Sequence, residues 1–228
     1  MKIKTIGGVL AITGLLSAGV VQAQKVKIDS SYNNTYYKGR MELFSTLPQI
    51  KKSIVFLGNS ITERGMWHEL LPGKLIVNRG IGGDNTFGVL ARIRPIIASQ
   101  PQKVFLLIGI NDIGRGLPVE VIADNYEEII QRFQKGSPKT TLYVQSVLPM
   151  NEDILSAAYL KNKGHLVIEL NTKLKALAAK YDLNYLNIYD VFNEGNNKLK
   201  PEFTIDGIHL KPAAYAVWVE YLKTNKYL

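Results

Sequence analysis

The sequence predicts one three-layer α/β domain built on a five-stranded parallel sheet. Short runs rich in Val, Ile and Leu recur along the chain, and longer amphipathic stretches separate them. Such apolar runs are typical of parallel strands buried on both faces, and each amphipathic stretch is long enough for a crossover helix. Because this alternation continues without a second compositional block, we expect a single domain with right-handed crossovers.

The predicted strands cover residues 53–57, 75–78, 104–108, 141–147 and 185–188. The predicted helices cover residues 64–71, 86–99, 119–135, 158–181 and 212–226. Pro118 and Pro212 fit the first turns of the third and fifth helices, and Asp84 or Asn85 could cap the second. Residues 24–50 precede the first strand and are rich in Tyr and Asn, and we expect them to wrap the domain surface.

The first 23 residues have the pattern of a secretory signal peptide. Lys2 and Lys4 precede an uncharged apolar run, and Val21-Gln22-Ala23 has small residues where a signal peptidase cuts. A retained membrane anchor is the less favoured alternative, because the apolar run is short for a spanning helix. We therefore expect a mature domain of residues 24–228 that is secreted or periplasmic and not attached to a membrane.

The composition excludes several classes of function. The 228 residues include no cysteine, which excludes a Cys nucleophile, a disulfide framework and a thiolate metal site. The formal net charge is +9, but the basic residues are scattered and are not interleaved with aromatic ones. A solvated basic surface is the favoured interpretation and attraction to anionic glycans the alternative, while nucleic acid is not an expected partner.

Polar or glycine-rich turns recur where the predicted strands end. Gly58-Asn59-Ser60 follows the first strand and Gly80 to Asp84 the second, Gly109 to Asp112 follows the third, and Asp206 to His209 lies beyond the fifth. Because the carboxyl ends of parallel strands meet at one edge of a sheet, the sequence predicts a functional site there.

Ser60, His209 and Asp206 are the candidate catalytic residues of these turns. A serine hydroxyl needs a base to become nucleophilic, and the base needs an orienting group. Asp206 precedes His209 by three residues, so its carboxylate can reach Nδ1 and leave Nε2 facing outward. Asp112 is an alternative acid, disfavoured because Asp206 is tethered closely to His209. Each pattern alone also has a structural interpretation, since Ser60 could simply cap a helix.

An oxyanion hole could be formed by the backbone N–H groups of Ser60 and Gly83 and the side-chain amide of Asn111. The glycines at 80–83 could instead form a flexible turn or a phosphate loop. No Lys-Ser/Thr pair accompanies them, so nucleotide binding is disfavoured. His68 and His165 are interpreted as structural.

Four short motifs in this chain resemble, in their order, the four sequence blocks of the SGNH (GDSL-like) hydrolase superfamily, in particular its acetylhydrolase-like branch. They are Gly58-Asn59-Ser60, Gly83-Asp84, Gly109-x-Asn111-Asp112 and Asp206-x-x-His209. One departure is Asn59, where the first block often has Asp. The resemblance implies a flavodoxin-like five-stranded sheet and ester hydrolysis without a metal or other cofactor. It also implies Ser60 as nucleophile, Gly83 and Asn111 as oxyanion donors, and His209 with Asp206 as base and orienting acid.

Together with the signal-peptide pattern, the resemblance implies an exported serine esterase. We expect it to hydrolyse short-chain esters, acetyl esters above all, on a carbohydrate, or on another small molecule. A lysophospholipase or thioesterase is the alternative, and a non-catalytic glycan-binding domain is an alternative of another class. Met66 and Trp67 follow Ser60 closely, and we expect them to narrow the acyl pocket; the alternative is that both pack in the core.

Overall fold

The computed structural model describes residues 28–228 and centres on an all-parallel sheet of five strands. Their order across the sheet is β2-β1-β3-β4-β5, which is the flavodoxin-like order. The strands are β1 (Ile54–Gly58), β2 (Ile76–Gly80), β3 (Lys103–Leu107), β4 (Thr141–Gln145) and β5 (Asn184–Leu186). The predicted three-layer α/β/α fold is therefore confirmed. The predicted signal peptide, residues 1–23, lies outside the described residues.

Helices cover both faces of the sheet. Their bounds are α1 (Thr35–Thr46), α2 (Ser60–Glu63), α3 (Trp67–Leu70), α4 (Thr86–Ala98), α5 (Ile110–Gly114), α6 (Val119–Gly136), α7 (Gly164–Lys180), α8 (Ile188–Phe192) and α9 (Pro212–Thr224). On one face, α4 and α7 flank α6. On the other face Trp67 of α3 meets Trp218 of α9, with ring centroids 5.1 Å apart. Within residues 28–228, none of the helices combines the length and apolar character that crossing a membrane requires.

A row of aromatic rings crosses the middle of the sheet and anchors the core. Phe56 of β1 is in register with Phe105 of β3, which is in register with Tyr143 of β4. Their ring centroids are 5.1 and 4.7 Å apart, and the Trp67 ring stacks on Phe56 at 3.9 Å. Full burial of a large apolar side chain stabilises a fold by about 1.5–3 kcal/mol, so this row contributes substantially to the stability of the core.

Two of the predicted helices have different bounds in the structure. The helix predicted over 64–71 is instead two short helices, α2 and α3, because Asn59 caps a helix that starts at Ser60. Gly65 separates them, and a Cβ at Gly65 would lie 2.3 Å from the Trp67 ring. The helix predicted over 158–181 starts at Gly164, because Asn162 has a φ of 61°, which an α-helix does not allow.

The segment before β1 contains a helix that the sequence did not predict. Only Tyr37 of helix α1 is buried, so the helix needs no apolar stripe. Its sequence accordingly lacks the helical period of apolar residues that would have predicted it. Asn34 caps it by accepting a hydrogen bond from the Tyr37 N–H at 2.9 Å. The Tyr37 hydroxyl donates to the carbonyl of Gly88 at 2.9 Å, which docks α1 on α4. This segment therefore packs on the domain surface, as expected, but as a helix.

Candidate active site

The turn after β1 places Ser60 at the carboxyl edge of the sheet. Gly58 is required there, because a Cβ would lie 2.2 Å from the carbonyl oxygen of Leu107. The side-chain oxygen of Asn59 accepts from the N–H of Ile61 at 3.0 Å, so helix α2 starts with Ser60 half-buried in its first turn. Asn59 is itself fully buried, and among the described residues its side-chain nitrogen has no hydrogen-bond partner.

The turn before α9 holds a histidine and its acid together. Oδ2 of Asp206 lies 2.7 Å from Nδ1 of His209, and Oδ1 accepts from the N–H groups of Ile208 and His209 at 3.1 and 2.8 Å. Burial raises the pKa of Asp206, but the hydrogen bonds from the His209 ring and these two amides outweigh it and hold the pKa below its usual value. The ionised carboxylate therefore accepts from Nδ1 and fixes the ring orientation.

Gly207 makes this turn possible. It has a φ of 90°, and a Cβ there would lie 2.6 Å from the carbonyl oxygen of Asn151. Thr204 closes the turn, because its hydroxyl accepts from the Gly207 N–H at 2.9 Å and donates to the His209 carbonyl at 3.0 Å. The position of the imidazole is thus determined by residues within a short stretch of chain.

The two turns meet, although they are far apart in the sequence. Nε2 of His209 lies 3.0 Å from Oγ of Ser60, across a separation of 149 residues. The structure therefore brings the three sequence-predicted residues Ser60, His209 and Asp206 into one hydrogen-bonded row. With Nδ1 donating to Asp206, Nε2 can accept the proton of the serine hydroxyl.

Besides the N–H of Ser60, the candidate oxyanion donors are Gly83, on the turn after β2, and Asn111, in helix α5 directly after the turn that follows β3. Those turns leave the sheet beside Ser60, because Gly58 pairs with both Gly80 and Leu107. Gly83 has a φ of 74°, and a Cβ there would meet no atom within 4 Å, so backbone conformation rather than space favours glycine. The Asn111 amide donates one N–H to the carbonyl of Asp84 at 2.8 Å. Since an amide has two such donors, the second can serve a substrate oxygen.

A buried ion pair ties these turns together. Oδ2 of Asp84 lies 2.8 Å from Arg92, and both side chains are almost completely buried. Arg92 also donates to the carbonyls of Gly58 and Arg79, at 3.0 and 2.9 Å. Removing one partner of such a pair typically costs about 3–5 kcal/mol, because the other charge is left buried. In the sequence, Asp84 stands out as a possible helix cap and as part of the Gly83-Asp84 block, whereas no local pattern identifies Arg92.

Glu63 is a second residue that sequence reasoning missed. It lies on the same short helix as Ser60, and its Oε2 accepts from the N–H of Gly82 at 2.8 Å. Its Oε1 accepts from the Tyr36 hydroxyl at 2.8 Å and lies 2.9 Å from Nε of Arg40, at an angle too bent for a hydrogen bond. Glu63 thus links the turn carrying Gly83 to the serine helix and to α1. Its partners are 19 and 27 residues away, so no local pattern signals them.

Asp112, the alternative acid, has a different environment. It is fully buried and accepts from the N–H and hydroxyl of Thr86, with oxygen contacts at 3.0 and 2.5 Å. Burial raises the pKa of Asp112 to about 7, although the Thr86 hydrogen bonds oppose this. Asp112 therefore holds the start of α4, and the acid that contacts His209 is Asp206. Within residues 28–228, no three His, Asp or Glu side chains are grouped to hold a metal ion.

The structure corrects the expected substrate contact of Trp67. The Trp67 side chain is 1% exposed, and its ring lies among Phe56, Tyr215 and Trp218. Its Nε1 donates to the carbonyl of Thr62 at 2.8 Å. The prediction that Trp67 narrows an acyl pocket is therefore wrong, and its role is core packing. Met66 is 63% exposed, so it is not a core residue, and its contact with substrate stays a prediction.

Sequence comparisons identify the family. The sequence profile of the GDSL-like Lipase/Acylhydrolase family matches residues 56–217. An arylesterase from Vibrio mimicus is 26% identical over 194 residues, which cover 78% of this chain and 90% of that protein. Platelet-activating factor acetylhydrolase IB subunit alpha1 from Homo sapiens is 26% identical over 168 residues, which cover 71% of this chain and 70% of that protein.

Solved structures agree. A Streptococcus pneumonia protein described as a platelet activating factor is 31% identical, with a TM-score of 0.73, and the match covers 83% of this chain and 90% of that one. An acetylxylan esterase from Geobacillus stearothermophilus has a TM-score of 0.62 at 18% identity, over 77% of this chain and 95% of that one, which shows the shared fold alone. The chain belongs to the GDSL-like lipase/acylhydrolase family and is a carboxylic-ester hydrolase.

Proposed function

We propose that this protein is an exported serine esterase that hydrolyses acetyl and other short-chain esters on carbohydrates. Ser60, His209 and Asp206 form its triad. The observation that carries the proposal is the row of two contacts, 3.0 Å from Ser60 to His209 and 2.7 Å from His209 to Asp206. Together they give the serine hydroxyl a base, and they give that base the orienting group that nucleophilic attack requires.

The mechanism follows from these positions. Oγ of Ser60 attacks the ester carbonyl carbon while Nε2 of His209 takes the hydroxyl proton, and Asp206 stabilises the resulting imidazolium. The N–H groups of Ser60 and Gly83 and the Asn111 amide stabilise the oxyanion of the tetrahedral intermediate. The intermediate collapses as His209 returns its proton to the leaving alcohol, which leaves an acyl-serine. A water molecule, deprotonated by His209, then attacks the acyl carbon. The bond from that carbon to Oγ of Ser60 breaks as His209 returns the proton to Oγ, which releases the acid and restores the free serine.

Support for the acyl group and the carbohydrate comes from the relatives. One curated relative is an acetylhydrolase, and an acetylxylan esterase shares the fold. The expected narrowing of the pocket by Trp67 no longer contributes, because Trp67 is in the core. Export is supported by the Lys2/Lys4 region, the apolar run and the small residues before Gln24.

A chain-length series tests the acyl preference. The mature protein, residues 24–228, is assayed on p-nitrophenyl acetate, butyrate and octanoate, with Ser60→Ala as the background control. We expect kcat/KM for the acetate ester to exceed that for the butyrate ester by at least ~10-fold, because each added methylene must either pack against an apolar surface or clash with the protein. A preference for octanoate contradicts the acetylesterase proposal and supports a lysophospholipase or thioesterase.

Acetate release from acetylated xylo-oligosaccharides tests the carbohydrate. Release by the wild type and none by Ser60→Ala is the expected result. Turnover of aryl acetate without release from any acetylated glycan shows that the carbohydrate part is wrong. Glycan binding without any ester hydrolysis points to the non-catalytic alternative. Export is checked by N-terminal sequencing of the protein from the periplasm or medium, where we expect Gln24 as the first residue.

A further inference from the structure

A cavity of about 320 Å³ lies beneath helix α1, away from the row of Ser60, His209 and Asp206. None of its lining residues belongs to that row or to the candidate oxyanion donors. Helix α1 forms one wall, and it precedes the residues 56–217 that the family profile matches. The apolar part of the lining comes from α1 and the residue after it, the sheet and α4, and includes Met41, Phe44, Leu47, Val55, Val77 and Ile96.

Arg79 is a half-buried cation in this lining. Its Nη1 donates to the carbonyl of Asn78 at 2.9 Å, and its guanidinium lies 4.6 Å from the centre of the Phe44 ring. Among residues 28–228, no carboxylate lies within ion-pair distance of Arg79. Most of its N–H donors therefore remain available to a bound molecule.

The two neighbouring arginines are already neutralised. Arg92 has Asp84 at 2.8 Å, and Arg40 has Glu63 at 2.9 Å. Of these three arginines, Arg79 is therefore the one whose positive charge is not compensated by a carboxylate of the described residues. Burial lowers the pKa of Arg79, and the positive charges of Arg92 and Arg40 lower it further, so its surroundings disfavour a cation and favour an incoming anion.

We propose that this cavity is a binding site for a medium-chain carboxylate, with its carboxylate on Arg79 and its alkyl chain among the apolar walls. A guanidinium presents paired N–H donors that match the two oxygens of a carboxylate. The volume of about 320 Å³ is at the lower end of the roughly 300–1,000 Å³ of small-molecule pockets, which suits one alkyl chain rather than a two-chain lipid. This site is independent of the ester that Ser60 hydrolyses.

Titration calorimetry with sodium decanoate on the mature protein tests the site. We expect one bound decanoate per chain and at least ~10-fold weaker binding by Arg79→Met, because a charged hydrogen-bond partner is lost while the volume is kept. Arg94→Met is the matched control: Arg94 is exposed on α4, does not line the cavity, and loses the same charge. Met41→Trp fills the cavity from the surface helix and should also weaken binding at least ~10-fold, with Arg79 intact.

Four outcomes overturn the proposal. The first is no decanoate binding by the wild type. The second is an unchanged Kd in Arg79→Met, with circular dichroism confirming that the variant is folded. The third is the loss of decanoate binding when Ser60 carries a covalent serine-esterase inhibitor. That result places the carboxylate at the active site instead. The neutral amphiphile 1-decanol is expected to bind at least ~10-fold more weakly than decanoate, and equal binding also contradicts a site defined by Arg79.

Discussion

The two halves of the active site are held in place in different ways. On the base side, the side-chain hydrogen bonds of Thr204 and Asp206 lie within one short turn, while the backbone of that turn also accepts from the N–H groups of Asn151 and Ser156. On the oxyanion side, the turn carrying Gly83 is held by residues distant in sequence, among them Glu63 and, through it, helix α1. The base side therefore depends on local chain geometry, whereas the oxyanion side depends on how separate elements pack.

The largest effect is expected on the base side. Ser60→Ala and His209→Ala should each lower kcat by at least ~10³-fold, because triad residues act as a unit. Kinetics on p-nitrophenyl acetate measures this, with His165→Ala, an exposed helix histidine, as the control for His209. If Ser60→Ala keeps more than about a tenth of the wild-type turnover, Ser60 is not the nucleophile.

On the oxyanion side, Asn111→Ala should lower kcat by roughly 10²–10³-fold with little change in KM. Its amide is expected to bind charge that develops only in the transition state, so ground-state binding should be spared. A loss that appears chiefly as a raised KM makes Asn111 a substrate contact and contradicts the oxyanion role.

Glu63 distinguishes positioning from direct chemistry. Glu63→Ala should lower kcat by about 10-fold, because the Gly82 turn loses its anchor and a small displacement of a donor is costly. Glu63→Gln should recover most of this loss, since its amide oxygen can still accept from the Gly82 N–H. Glu69→Ala, an exposed glutamate on α3, is the control. Equal activity of wild type and Glu63→Ala shows that the contact does not position Gly83.

The smallest effect is expected on the free energy of unfolding, and it concerns Asp112. The pKa of this carboxyl is raised to about 7, whereas that of Asp206 is lowered. Below about pH 4 both folded and unfolded Asp112 are protonated. Between about pH 4 and 7 only the folded chain keeps the proton, so stability falls as pH rises, by about 1.4 kcal/mol per unit per proton. Above pH 7 that loss is complete.

Asp112→Asn does not titrate, so its free energy of unfolding relative to wild type should rise by at least ~1 kcal/mol from pH 5 to pH 8. Urea unfolding at the two pH values measures the change. Asp124→Asn, at an exposed position on α6, should show no comparable change. A difference that stays constant between the two pH values contradicts the raised pKa of Asp112.

The same contrast explains what the sequence could predict. Apolar runs located every strand to within a few residues, and the three-residue spacing of Asp206 and His209 predicted the contact between these two side chains. The links made by Glu63 and Arg92 could not be predicted, because their partners are chosen by tertiary packing.

The sequence prediction was wrong about Trp67 and missed helix α1, and both errors follow from how these residues pack. Trp67 follows Ser60 closely in sequence, but the break at Gly65 and the stacking on Phe56 turn its ring into the core. Helix α1 was not predicted, because it buries only Tyr37 fully and so lacks an apolar stripe.

The separation of 149 residues between Ser60 and His209 also sets the order in which activity can arise. Ser60, the proposed nucleophile, is synthesised well before His209, its proposed base, which lies just before α9. Helix α9 joins the two, because the Tyr215 hydroxyl donates to the carbonyl of Ile61 at 2.7 Å. On the proposed function, a chain in which α9 has not yet docked on α2 therefore lacks the contact between His209 and Ser60, and its esterase activity arises only once that helix is in place.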